Sequence, residues 1–382
     1  MKKQLLSTSA IALGVALAAP ASAQEWDLDW GGFFNTHVGY ASVDGNAASA
    51  AAPGTDFDGV NVFVNREIHF TPSVTLDNGL TFGVNVQFEA DNSSAPSANV
   101  DETFMTISSD TLGRIILGNE NSAGYLAMGS VYTPGIGSMA INSMSLSGFI
   151  PLTGSAATQF RGAGMSSLTE VGRNNDTTRI TYFTPSFNGL TLGVSYAPNG
   201  VVNAANNNAF DRNATALTDV FDVAAMYSQS FNGVDVGFAA RWGTGESNVA
   251  GIDDPETWAV GGTVGFSGFT FGATYAENEG GGNNIKGNAL QGLGSRDSEG
   301  WSIGVNYDLA GPWSIGAETY QGEVKNAGFN ADEYEAYKIG GSRELGAGVS
   351  WDIYYVYAES SDGVTGAEID ADIIATSINL SF

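Results

Sequence analysis

Short runs of alternating apolar and polar residues recur along most of the chain. In the clearest run, residues 80–88, leucine, phenylalanine and valine occupy every second position and threonine, glycine, asparagine and glutamine lie between them. A period of two is typical of a β-strand with one apolar face and one wetted face. About sixteen such segments follow one another. The pattern therefore predicts an all-β chain.

The connections between these segments belong to two classes, which alternate. Short connections consist of turn residues, as in Asp77-Asn78-Gly79, Phe187-Asn188-Gly189 and Phe231-Asn232-Gly233, and they suit tight hairpins. In an up-and-down barrel every second connection lies on the same rim, so the alternation predicts one rim of turns and one rim of loops. The long connections span roughly 44–59, 91–101, 121–176, 198–218, 244–256, 277–299, 321–332 and 359–370.

The two ends of the chain are expected to meet. Residues 378–382 alternate and finish on the aromatic Phe382. With an even number of strands both ends lie on one rim, so the first strand, about 26–43, should pair with the last, about 368–382. Closure leaves no strand edge unpaired, which a membrane requires. A single stripe of this kind is as typical of a soluble β-sandwich, but the number of stripes and the loop asymmetry favour a transmembrane antiparallel barrel of about 16 strands.

The amino terminus has the pattern of a secretory signal peptide. Lys2 and Lys3 precede the apolar stretch 11–19, and Ala21-Ser22-Ala23 fits a cleavage site. We therefore predict a signal peptide at 1–23 and a single barrel domain at 24–382. No later stretch approaches the ~20 consecutive apolar residues of a spanning helix, so the mature chain would cross a membrane as strands.

Composition removes several classes of function. The chain has 41 acidic and 14 basic residues and a formal net charge of −27, which argues against nucleic acid as a partner. It has no cysteine, so disulfides and thiolate chemistry are excluded. Its 51 glycines in 382 residues are about twice the usual share and suit many strands and turns.

Four stretches resemble the general-diffusion porins of Gram-negative bacteria. They are LDNGLTFGVNVQFEA at 76–90, DETFMTISSDTLGRIILGNENSA at 101–123, RITYFTPSFNGLTLGVSYAP at 179–198 and the terminal strand. The resemblance implies a 16-stranded outer-membrane barrel, usually a homotrimer, surrounded by lipid and lipopolysaccharide. It further implies a water-filled channel for ions and small hydrophilic solutes, a third external loop folded into the lumen, and Phe382 as part of the assembly signal.

The loop at about 121–176 is much longer than an ordinary connection, and loops of this size are usually functional. Between Asn121 and Thr169 it carries no carboxylate, and Arg161 is its only charge. Its many apolar residues either pack it against the inner wall or line a less polar constriction. We predict that residues 121–170 occupy the lumen, with Tyr132 and Pro134 near the narrowest point.

Alternation assigns each charged residue to a face of its strand. Eight acids and three bases fall on the lumen side, and an acidic lining favours cations. The sequence therefore predicts a cation-selective pore. Arg179 and Arg241 are the candidates for the basic wall that the resemblance implies. Arg66 shares the lipid-facing parity, so either it lies in an interface or a bulge turns it inward. The acids are Glu67, Glu89, Glu102, Asp222, Asp235, Asp308, Glu318 and Asp352, and the bases are Arg179, Arg241 and Lys338.

Many further carboxylates lie in or beside the long connections. Asp56, Asp58, Asp253 and Asp254 could bind Ca²⁺ or another hard divalent cation, although simple solvation is the more common explanation for such carboxylates. No cofactor is required.

A catalytic barrel is the remaining alternative. The chain has two histidines, His37 and His69, both on the lumen side, and His69 stands two residues from Glu67. Neither a G-x-S-x-G nor an H-E-x-x-H motif is present. We therefore predict a pore without enzymatic activity, with an adhesin or structural barrel, and then a barrel hydrolase, as the alternatives.

Overall fold

The computed structural model describes residues 25–49, 57–90, 100–131, 133–139, 141, 176–200, 216–280 and 296–382. These residues form seventeen antiparallel strands in one sheet and one short helix, α1 (Ala123–Gly129). The strands are β1 (Trp30–Gly45), β2 (Phe57–Phe70), β3 (Ser73–Thr75), β4 (Thr81–Glu89), β5 (Val100–Ser109), β6 (Gly113–Glu120), β7 (Thr177–Phe183), β8 (Leu190–Asn199), β9 (Leu217–Phe231), β10 (Val234–Ser247), β11 (Glu256–Phe266), β12 (Phe269–Glu279), β13 (Ser298–Asp308), β14 (Trp313–Val324), β15 (Asp332–Gly346), β16 (Val349–Asp362) and β17 (Ala367–Ser381).

The sheet closes on itself through its first and last strands. β1 pairs with β2 on one side and with β17 on the other, from Phe33 opposite Ser381 to Gly45 opposite Ile369. Gly32 and Phe382 exchange backbone hydrogen bonds of 3.0 and 3.1 Å at the end of this pairing. The predicted closure is confirmed.

β2 and β3 are two parts of one barrel strand. Both pair with β4, and they are separated only by Thr71 and Pro72. Proline has no backbone N–H and interrupts the ladder, yet its carbonyl still accepts from the Val84 N–H at 3.0 Å. Counted this way the barrel has the sixteen strands that the alternation predicts.

Tight turns join the strands at one rim, as their Asn-Gly residues predict. Asn188 and Gly189 have φ of 48° and 87°, and Asn232 and Gly233 have 51° and 84°. Two successive positive φ values define the hairpin turn that matches the twist of the flanking strands. We call this the turn rim, and the opposite end of the barrel the loop rim.

At the loop rim the strands reach further than predicted. β16 continues to Asp362 and β17 begins at Ala367, close to its predicted start at about 368, so the connection between them is only 363–366 and the strict alternation of short and long connections is wrong there. The physical reason is an inverted pattern: the residues facing the barrel interior are apolar, as at Ile369 and Ala371, and those facing outward are carboxylates. Such a segment has the composition of a loop although it has the period of a strand.

Large apolar side chains cover the middle of the outer surface. Val60, Ile303, Ile339 and Ile374 are each more than half exposed. In the described part of the chain no helix has the length and hydropathy needed to cross a membrane.

Candidate functional site

Residues 122–141, without 132 and 140, run along the inner wall of the barrel, and we call them the anchored segment. The segment begins with α1, where the Ser122 hydroxyl caps the helix by accepting from the Tyr125 N–H at 3.1 Å. The Ala123 N–H donates to the Ser195 hydroxyl of β8 at 3.2 Å. Gly124 then lies against the side chains of Asp222 and Arg241 on β9 and β10.

The middle of the segment crosses β12 to β14. The Thr133 hydroxyl forms hydrogen bonds with Thr274, at 3.2 Å, and with Ser302. Pro134 packs over two wall glycines, Gly272 and Gly304, which have no side chain to obstruct it.

Its last part crosses β15 to β17 and reaches β1. The Ser138 hydroxyl donates to the Asn379 side-chain oxygen at 2.8 Å and lies 3.2 Å from Nε2 of His37. The Met139 carbonyl accepts from Lys338, and the Ile141 carbonyl accepts from the Tyr334 hydroxyl at 3.3 Å. The anchored segment therefore follows the wall from β8 round to β1.

The apolar side chains of the anchored segment face this wall. Met128, Val131, Ile136, Met139 and Ile141 are all at most 2 % exposed. Met139 and Ile141 join a cluster of small and aromatic wall residues on β1 and β14 to β17. For these five residues the structure favours the packing interpretation over the lining of a constriction.

The wall bases on β10 and β15 are each paired with an acid on a neighbouring strand. Arg241 forms a buried ion pair with Asp222, and Lys338 forms one with Glu318 at 2.5 Å. Gly135 lies directly on the Glu318 carboxylate. These pairs thus form part of the surface on which the anchored segment rests.

Arg179 lies on β7, near the start of the anchored segment. Its guanidinium is buried and donates to the Thr177 carbonyl at 3.3 Å. Arg66 is placed outward as its parity indicates: its guanidinium lies 5.6 Å from the ring centroid of Phe34 and donates to the Ala90 carbonyl.

A second group of carboxylates lies on the other wall, along β2 and β4 to β6. Glu67 is 3.2 Å from Nε2 of His69, and Glu89 is its direct partner in the strand register. Glu102 accepts from the side-chain amides of Gln87 and, at 2.6 Å, of Asn121. Asp101 and Glu120 belong to the same stretch of wall, although they were not among the sequence-predicted lumen acids.

The other predicted lumen acids lie apart from these two groups. Asp352 accepts from Ser377 at 2.9 Å and from Asn379, and Gly137 of the anchored segment lies against it. Asp235 is at the turn rim, where it accepts from Ser230, and Asp308 is exposed at the same rim.

Several predicted features fall outside the described residues. They are the signal peptide at 1–23, Asp56, Tyr132, Arg161 and the part of the long loop at 142–175. Asp58 accepts from Ser42, and Asp254 accepts from the Ser247 N–H at 2.8 Å. Within the described ranges, no three acidic, histidine or cysteine side chains come together as a metal site.

Sequence reasoning did not identify the residues that fix the anchored segment. Ser138, Thr133, Thr274 and Ser302 are ordinary hydroxyl residues, and nothing in their local pattern distinguishes them. Their partners lie far away along the chain: His37 and Ser138 are 101 positions apart, and Thr133 and Ser302 are 169 positions apart. Only the closed barrel brings them together.

A sequence model of the Gram-negative porin family matches residues 7–363. Among solved structures, the barrel is similar to the anion-selective porin of Comamonas acidovorans, with a TM-score of 0.61 and 12 % identity over 94 % of this chain and 100 % of that one. It is also similar to the outer-membrane protein OmpT of Vibrio cholerae in its trimer form, with a TM-score of 0.57 and 12 % identity over 94 % and 99 % of the two chains.

A mutant of the Rh. blastica porin is similar as well, with a TM-score of 0.52 and 16 % identity over 93 % of this chain and 100 % of that one. At these identities the structural matches show the fold alone. No curated protein sequence matches the chain.

Proposed function

Because this chain belongs to the Gram-negative porin family and is an integral barrel of the outer membrane, we propose that its channel passes ions and small hydrophilic solutes passively, with a preference for cations. The observation that carries the preference is the distribution of charge on the inner wall. Arg241 and Lys338 are neutralised by Asp222 and Glu318, whereas carboxylates accumulate on β2 and β4 to β6.

The position of the anchored segment supports this assignment. It covers the wall from β8 round to β1, which lies opposite the wall that carries Glu67, Glu89 and Glu102. Charged groups act on a permeating ion only within the screening length, about 8 Å at physiological salt. We therefore expect carboxylates on the wall opposite the anchored segment to matter more for selectivity than those beneath it.

The fold by itself does not decide the sign of the selectivity, since a porin of the same fold from Comamonas acidovorans is anion-selective. We therefore expect the wall charges to decide it. Reversal potentials of the protein in planar bilayers under a salt gradient should show cation preference, and an anion-selective reversal potential would contradict the proposal.

Glu67→Gln with Glu89→Gln should move the reversal potential toward zero, because two neighbouring carboxylates of the acidic wall are removed. The matched control is Asp253→Asn with Asp254→Asn, which removes the same charge from the loop rim. If the reversal potential shifts equally in both double variants, the loop-rim carboxylates contribute to selectivity as much as the wall carboxylates do, which would contradict this assignment.

The same proposal includes a homotrimer in contact with outer-membrane lipid and lipopolysaccharide, as the trimer form of the Vibrio cholerae protein suggests. It includes no cofactor and no catalysis. His37 supports this, because its Nδ1 is 2.7 Å from the Tyr354 hydroxyl and its ring stacks on Phe63, as expected of a residue that anchors the segment. Calcium binding by Asp58, Asp253 and Asp254 remains a separate proposal, which titration calorimetry with CaCl₂ can test.

A further inference from the structure

Carboxylates on the outer surface near the loop rim stand directly opposite one another across successive strands. In the register of the sheet they form two continuous rows without an intervening base, and we call them the carboxylate ladders. The first ladder crosses β12 to β15 and the second crosses β15 to β17 and reaches β1. They are Glu277, Glu299, Glu323 and Glu333, and then Glu335, Glu359, Asp370 and Asp44.

Like charges that face each other across a strand pair destabilise a sheet. None of the ion pairs formed by the described residues includes a ladder carboxylate. Contacts among the described residues therefore do not account for two rows of four acids each. A cationic partner that binds outside the barrel wall would account for these acids.

Tyrosine side chains indicate where the ladders lie relative to the membrane. The Tyr357 hydroxyl donates to Glu359 at 2.7 Å, the Tyr337 hydroxyl to Glu335 at 3.3 Å, and the Tyr275 hydroxyl to Glu299 at 3.4 Å. Outward tyrosines of membrane barrels lie at the boundary between hydrocarbon and head groups. The ladders, just above them, are thus at the level of the lipid head groups.

Two adjoining concavities occupy the same face. The upper one, of about 410 Å³, is lined by ladder residues including Glu299, Glu323, Glu335 and Glu359. The lower one, of about 450 Å³, is almost entirely apolar and lies where Ala317 stands between its larger neighbours Val305 and Ile339. An apolar groove below an acidic pocket is complementary to an amphiphile, because the groove suits its apolar chain and the pocket suits a cationic head group.

We propose that the outer face of β12 to β16 binds a membrane lipid whose head group carries free amines. One acyl chain lies in the groove over Ala317, and the ammonium groups face the carboxylate ladders. Charge complementarity favours this occupant, because a head group of net negative charge without an amine would be repelled by the acids. A chelated divalent cation is disfavoured, since the described carboxylates form no three-ligand cluster.

The test uses two lipids with the same acyl chains, lysyl-phosphatidylglycerol and phosphatidylglycerol. Each is titrated into the detergent-solubilised protein in EDTA, and the bound lipid is counted by native mass spectrometry. We expect lysyl-phosphatidylglycerol to bind at least about tenfold more tightly, as several exposed ion pairs acting together would give. Equal binding of the two lipids would overturn the proposal.

Two independent variants locate the site. Neutralising Glu299, Glu323, Glu333 and Glu335 with glutamine should abolish the preference for the lysyl lipid, whereas a control that changes Asp27, Asp29, Asp77 and Asp110 to asparagine at the turn rim should retain it. Ala317→Phe fills the groove with a residue that a lipid-facing surface tolerates, and it should weaken binding of the lysyl lipid several-fold with the ladders intact.

Three results would contradict the assignment. They are unchanged preference in the glutamine variant, unchanged affinity in Ala317→Phe, and binding of phosphatidylglycerol that becomes equally tight when Ca²⁺ replaces EDTA. Loss of the trimer in Ala317→Phe would show instead that a second copy of the chain occupies the groove, which also overturns the proposal. Heat-modifiable gel mobility verifies that each variant is a folded barrel.

Discussion

At the scale of single residues, three glycines of the anchored segment, Gly124, Gly135 and Gly137, lie directly against charged side chains of the wall. A Cβ added to Gly135 would clash with the carboxylate of Glu318, which is itself held by Lys338. Backbone can approach this ion pair only because the side chain is a hydrogen atom. Glycine at this position therefore allows the segment to lie directly against the ion pair.

Gly135→Ala should therefore displace either the segment or Glu318. Overpacking of this kind costs about 1–3 kcal/mol, so part of the population should lose the close contact. We expect noisier single-channel current. Gly129→Ala is the matched control, since a Cβ there meets nothing within 4 Å. Identical behaviour of the two variants would show that the contact is not needed.

At the scale of elements, β17 closes the barrel through its backbone rather than through its last side chain. The Phe382 ring is 66 % exposed, while its N–H and C=O both bond to Gly32. Since alanine retains both backbone groups, Phe382→Ala should leave the closed barrel unchanged once it is formed.

The same variant should nevertheless reach the outer membrane poorly, because the exposed ring is available to be recognised during assembly. We expect the amount of folded Phe382→Ala in outer-membrane fractions to fall more than its single-channel conductance changes. Leu380→Ala, an outward residue of the same strand, serves as a comparison. A normal amount of folded Phe382→Ala in the outer membrane, together with an altered conductance, would contradict this interpretation.

The strands and turns also show how much of the fold can be predicted from the sequence. Strand periods, Asn-Gly turns and the pairing of β1 with β17 are local signals or follow from topology, and the structure confirms them. The faces of Asp222, Arg241, Glu318 and Lys338 follow from parity. Parity could not predict the path of residues 122–141, because that path depends on contacts between distant parts of the chain. The end of β16 was missed because the acids and small polar residues of this stretch have the composition of a loop.

At the scale of the whole molecule, both ends of residues 142–175 are fixed inside the barrel. Ile141 is fully buried on the wall and Asp176 is 5 % exposed at the start of β7. The long connection thus leaves from and returns to the inner wall, which supports our proposal that it narrows the lumen together with the anchored segment.

Deleting residues 150–160 should therefore raise single-channel conductance and the size limit for neutral sugars, because the anchors at 122–141 remain. Liposome swelling measures the size limit. The control removes 283–293 from another connection of the loop rim, and it should leave both quantities unchanged. A deletion at 150–160 that conducts and admits sugars like the parent would exclude this part of the chain from the constriction.

The anchored segment also has a mechanical consequence. It links β8 to β1 through the interior, so the wall strands between them are joined by a second set of contacts besides the strand ladders. Lateral compression of the barrel must stretch or break these internal contacts together. We expect that side of the barrel to be the stiffer one, and to be released as a single unit when the protein is pulled from a membrane by force.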